Sequence, residues 1–168
     1  MNYLNREFDT NGLKLCEYQG KLFEEATNKY NCSSPVFIRR FLKSNLVKKI
    51  DMNETSFLDL NVNNGLEEIE KQFKRNDYGK VKYSSQEMFW IGYMYRYICY
   101  TRRISSTKAF ELFDYKVLKN NYFSFHTQSP EWVLRNLLEL SKHDETIFDK
   151  NVRLKQLMIK QDRFKYKV

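Results

Sequence analysis

The 168-residue chain carries 29 Lys+Arg against 21 Asp+Glu, a formal charge of +8, and is 42% hydrophobic and 16% aromatic. That much apolar material supports one folded core and excludes wholesale disorder, and with only 5 Gly and 2 Pro it excludes collagen-like and linker-like chains and argues against a turn-rich sandwich or barrel. No apolar run reaches the roughly 18 residues of a membrane span, residues 1–10 hold no apolar segment of signal-peptide length, and Cys16, Cys32 and Cys99 are too few and too scattered for a disulfide framework, so a reducing cytoplasm is expected.

Helical spacing dominates the chain. Leu15, Tyr18, Leu22, Phe23 and Ala26 form one stripe over 13–30. Ser33-Ser34-Pro35 is a start signal, a serine cap with proline in the first turn. It predicts a helix over 36–50 that buries Phe37, Ile38, Phe41, Leu42 and Val47. The opposite face holds Arg39, Arg40, Lys43, Lys48 and Lys49, like charges that call for solvent or an acidic partner. Residues 51–64 read as a loop, and Leu66, Ile69 and Phe73 predict a helix over 66–75, broken by Asn76-Asp77-Tyr78-Gly79.

Ser84-Ser85-Gln86-Glu87 is a capping box. The helix it opens, 86–103, is apolar nearly all round: Met88, Ile91, Tyr95 and Ile98 form one stripe, Phe89, Tyr93, Tyr97 and Tyr100 another. Such a helix is central and buried. Gly92 in its middle costs about 1 kcal/mol against alanine, which predicts close approach of another helix. Ser105 or Ser106 caps a short helix through Phe113. Asp114 caps another to about Phe123, and Ser129-Pro130-Glu131 opens a last one to about Ser141. Residues 142–168 hold eight Lys+Arg against four Asp+Glu, with Val152, Leu154, Leu157, Met158 and Ile159 spaced for an amphipathic helix.

The common catalytic patterns are missing from the sequence. His126 and His143 are not in ligand spacing with any cysteine, so no metal is expected. Cys99 reads as a small core residue, and nothing in the sequence brings it to His126. The five glycines are isolated, which leaves no phosphate loop. Glu24-Glu25 and Glu67-Glu68 sit among lysines as surface. Residues 105–125 can be read as helix, turn, helix, with Lys108, Lys116 and Lys119 outside, although Leu112-Phe113-Asp114 lacks the small residue such a turn favours. Phe110, Phe113, Tyr122 and Phe123 then read as core. Arg96, between two tyrosines on a buried helix, has two readings. It makes an internal ion pair, for example with Glu111, Asp114 or Glu131, or it belongs to an aromatic–arginine patch presented to a binding partner.

Gly20-Lys21-Leu22-Phe23-Glu24, then Ser34-Pro35-Val36-Phe37-Ile38, then Phe89-Trp90-Ile91-Gly92-Tyr93-Met94-Tyr95-Arg96-Tyr97, and finally Asn121-Tyr122-Phe123-Ser124-Phe125-His126-Thr127 occur in this order. The combination resembles a family of small cytoplasmic bacterial antitoxins from toxin–antitoxin operons, over roughly residues 18–140. The resemblance implies neutralisation by binding, against a toxin of ADP-ribosyltransferase-like type. Its signature positions are Trp90, Tyr93, Arg96, Tyr97, Tyr122 and His126, and it brings no catalytic residues.

The expectation is therefore an all-α fold: a compact helical domain over 1–141, six or seven helices around 86–103, followed by a basic amphipathic segment over 142–168. The expected function is antitoxin-like occlusion of a toxin's active site, without enzymatic activity, cofactor or metal. The candidate contacts are Tyr93, Arg96, Tyr97, Arg102, Arg103, Arg153 and Lys155. The alternative is a DNA-binding autorepressor of helix-turn-helix type that uses Arg102, Arg103 and the helices carrying Lys108, Lys116 and Lys119.

Overall fold

A computed structural model describes residues 6–52, 60–74 and 77–142 of the chain. The fold is all-α, and among the described residues there is no strand. The helices are α1 (Thr10–Lys29), α2 (Ser34–Lys43), α3 (Asn45–Asp51), α4 (Val62–Phe73), α5 (Ser85–Arg102), α6 (Ser106–Leu112) and α7 (Tyr115–Phe125). A further run, α8, is helical over 130–142. The chain divides into two compact units, residues 1–130 and 131–168, whereas the sequence reading divides it at 141/142. No described helix is long and apolar enough to cross a membrane.

Most helix starts follow the expected chemistry. Asp9, Ser33, Asn61, Ser84, Ser105 and Asp114 each accept a backbone N–H of the first turn through the side chain, which satisfies a donor that the helix itself leaves open. The Ser84–Glu87 capping box is complete in both directions. One predicted helix is two: 36–50 divides at Ser44. Its extended backbone ends α2, and its hydroxyl donates to the Phe41 carbonyl and accepts from the Val47 amide. A buried serine thus serves as the stop of one helix and the cap of the next. α4 begins four residues before the predicted start, because Asn61 caps it.

Within unit 1, α1 and α5 pack together more extensively than any other pair of helices. Gly12 lies against Tyr100, Gly20 against Phe89, and Gly92 against Gln19 and Phe23, so the two helices run antiparallel. Gly92 is the close-approach residue: a Cβ there would stand 2.7 Å from the Gln19 carbonyl oxygen. Leu22, Phe23, Ile91, Met94 and Ile98 are enclosed between these helices and their neighbours, and each large apolar side chain contributes about 1.5–3 kcal/mol by burial. Phe23 meets Phe37 and Phe41 edge-on at 5.3 and 4.9 Å, which ties α2 to α1. α6 and α7 cover another side of α5, where the Tyr95 hydroxyl donates to the Phe113 carbonyl (2.8 Å) at the α6–α7 junction.

Within unit 2, α8 buries Val133, Leu134 and Leu137. Arg135 pairs with Glu131 one turn earlier (3.2 Å), and Trp132 is partly exposed.

Candidate binding site

Arg96 is 3% exposed and every polar side of its guanidinium is taken. Nε donates to Gln19 Oε1 (2.9 Å), Nη1 to Asp51 Oδ1 (2.9 Å) and Nη2 to Ser106 Oγ (2.8 Å). The ring of bonds closes on itself. Ser106 Oγ donates to Asp51 Oδ1 and the Ser106 amide to Asp51 Oδ2, both at 2.8 Å. Gln19 Nε2 donates to the Gly92 carbonyl (3.0 Å). The internal ion pair is therefore the arrangement found, but its partner is Asp51 at the end of α3, not Glu111, Asp114 or Glu131. Four helices, α1, α3, α5 and α6, meet on one arginine. Among the described residues no buried side-chain nitrogen or oxygen lacks a hydrogen-bond partner, as a low-dielectric interior demands.

The other sequence-chosen contacts separate. Tyr97 is 3% exposed, with Phe8 edge-on at 4.8 Å. Tyr93 is half-buried beside Phe89, and burial pushes its hydroxyl up to about 12. Arg102 is half-buried in the last turn of α5, and Arg103 is exposed. Arg153 and Lys155 lie outside the described residues. Of the resemblance's signature positions, Trp90 and Tyr122 are buried and meet edge-on at 5.6 Å. Tyr122 stacks on His126 at 4.6 Å, and the His126 Nδ1 faces the Tyr122 carbonyl at 2.9 Å. A carbonyl only accepts, so that nitrogen carries the hydrogen. These positions build the body more than they present a surface.

Two outward features remain. The first is on α7. Phe113 and Tyr122 are core as expected, but Phe123 is not: it is 77% exposed. Helical geometry explains the difference, because Leu118 and Tyr122 occupy the face turned to α5 and Phe123 is rotated about 100° from Tyr122. Val117 and Lys116 share the exposed side. Of the three lysines on α6 and α7, Lys108 pairs with Glu111 (3.0 Å) and Lys119 with Glu87 (2.8 Å). The positive field expected there is largely neutralised.

The second is a cleft of about 650 Å³ beside the Arg96 network, bounded by the segment before α1, by α3, and by the α5–α6 turn. Its described lining includes Arg6, Lys48 and Arg103, none of which the sequence pattern brings together, and Asp51 is its one carboxylate. The Arg6 amide donates to the Thr101 carbonyl (2.8 Å), and its guanidinium lies 3.7 Å over the Tyr100 ring. The Tyr100 hydroxyl donates to Asp9 (2.6 Å). That bond, with the Gly12 amide, holds the Asp9 carboxyl below its ordinary value. Cys99 borders the cleft but is buried, and burial pushes its thiol up, as it does that of Cys16. Neither is a thiolate at neutral pH, so neither is an activated nucleophile.

No protein-family model, curated protein or solved structure matches the chain.

Proposed function

We propose that this protein works by binding another protein, as an antitoxin-like neutraliser of a toxin encoded beside it and acting in the cytoplasm. The observation that carries this reading is Phe123, a large aromatic held 77% exposed on a helix whose neighbouring turns are packed. Leaving that ring in water gives up the burial energy an aromatic side chain normally contributes, and exposed aromatics on rigid elements are the usual anchors of protein interfaces. α7 is fixed by its Asp114 cap and by Leu118 and Tyr122, so Phe123 is presented without an ordering cost. The partner is expected to be acidic, since the chain carries +8 and opposite charge accelerates encounter. The resemblance points to an ADP-ribosyltransferase-like enzyme, with Phe123 occupying or bordering its substrate cleft.

This reading moves the contact surface away from Arg96 and Tyr97, whose side chains are committed inside the body. The DNA-binding alternative has less support, because the pairing of Lys108 and Lys119 leaves Lys116 as the unpaired lysine of α6 and α7 among the described residues. The test is co-expression in cells with the neighbouring gene product. The wild-type chain should restore growth, and Phe123→Asp should fail to do so while accumulating to the same soluble level. Restoration by Phe123→Asp would reject the surface. A neighbouring product that is harmless alone would reject the function.

A further inference from the structure

From the cleft beside the Arg96 network we infer a second binding site, for a phosphorylated small molecule that carries an apolar or planar part, of the nucleotide class. The site is distinct from the Phe123 surface and does not depend on it.

Arg6, Lys48 and Arg103 reach the cleft from three separate segments. Among the described residues neither Lys48 nor Arg103 has an ion-pair partner. Asp51 cannot neutralise them, because both of its oxygens are already bound by Arg96 and Ser106. Among the described lining residues, three cations therefore border a concavity whose one carboxylate is already paired with Arg96, and an anion bound between them would relieve their mutual repulsion. Two are guanidinium groups, whose planar forks match phosphate oxygens, and the third is a point charge of the kind that binds a second phosphate. Arg6 keeps its in-plane donors while its face rests on Tyr100.

Arg103 ends α5 in the left-handed region, at φ 54° and ψ 46°. Glycine or asparagine is the ordinary residue there, since a Cβ is strained in that conformation. The turn that ends α5 in this way, with the Arg103 and Ile104 amides both donating to the Cys99 carbonyl, is what sets Arg103 in the lining of the cleft. A cleft of about 650 Å³ falls within the range of small-molecule sites, roughly 300–1,000 Å³. Leu15, Ile50 and Ile104 give it an apolar wall beside the cations. A bare phosphate would leave that wall unused, and a mononucleotide or dinucleotide would cover it.

The experiment is calorimetric titration of the full-length protein with ADP, with adenosine as the uncharged control and a short acidic peptide as the competing chemistry. Two charge-removing variants, Arg103→Gly and Lys48→Gln, and a distant control, Lys71→Gln, complete the set. Arg103→Gly relieves the backbone strain, so it should fold at least as stably as the parent, and a loss of binding cannot be assigned to misfolding. ADP should bind saturably, adenosine should not, and Arg103→Gly and Lys48→Gln should each weaken ADP at least fivefold, with Lys71→Gln unchanged. The inference is overturned if ADP does not saturate, if both cleft variants bind it as the parent does, or if the acidic peptide binds more tightly than ADP. Growth restoration by the Phe123 surface is read separately, so either claim can fail alone.

Discussion

Arg96 and Asp51, 45 positions apart in sequence, meet at 2.9 Å inside unit 1, and Ser106 bonds to both. The pair closes the junction of α3, α5 and α6, and Gln19 extends it to α1. Removing one member leaves the other charge buried without compensation, which costs about 3–5 kcal/mol. Asp51→Ala should therefore lower the free energy of unfolding in urea by several kcal/mol. Arg96→Met leaves the Asp51 carboxylate unpaired instead, and because Asp51 is the more exposed partner (side chains 16% against 4%) it should cost less than Asp51→Ala. Equal and small losses in the two variants would show that the junction is held by packing alone.

The α1–α5 contact makes a second prediction. Gly92→Ala gains about 1 kcal/mol of helix propensity, but its methyl meets the Gln19 carbonyl at 2.7 Å and the Phe23 ring. Backbone cannot step aside as a flexible side chain can. Overpacking of this kind costs about 1–3 kcal/mol, so the melting temperature should fall. A rise would mean that the helices separate freely at this point.

Tyrosines set the behaviour at high pH. Burial pushes the hydroxyls of Tyr18 and Tyr93 up to about 12. Burial, with the bond to Asp9, does the same for Tyr100. The folded state therefore favours the neutral phenol. The stability these groups confer is complete below the ordinary value of 10 and is lost as pH rises towards 12. Tyrosinate absorbance and helical circular dichroism should change together above pH 10. Full ionisation near pH 10 with helicity intact would contradict this burial.

Phe123 should be dispensable for folding. It is exposed, and surface substitutions usually move stability by no more than about 0.5 kcal/mol. Phe123→Ala should melt with the parent, and a large loss of stability would place the ring in the core after all.

Much of the fold was legible because helix caps are local chemistry. Ser33, Ser84, Ser105 and Asp114 declare their helices within three residues, and Gly92 announces a close neighbour. Ser44 shows the limit: nothing in its own sequence distinguishes a serine inside a helix from one that ends it, because the tertiary position of α3 decides. The site was less legible. The oddity of Arg96 was visible, but its partner was not, since Asp51 lies on an element that the pattern reads as the start of a loop. Arg6, Lys48 and Arg103 line one cleft only because the segment before α1, α3 and the α5–α6 turn come together in the fold. Phe123 reads as core alongside Phe110, Phe113 and Tyr122, but one residue along a helix from buried Tyr122 is enough to turn it outward.

If the chain binds a partner protein through α7, as proposed, affinity for the product of the neighbouring gene tests it most directly. Purified wild-type protein should hold that product stoichiometrically through a high-salt wash. Phe123→Ala should weaken the complex by about thirtyfold, the roughly 2 kcal/mol of an interface anchor. Undiminished binding by Phe123→Ala, or retention of nucleic acid alone that leaves in the wash, would contradict the account.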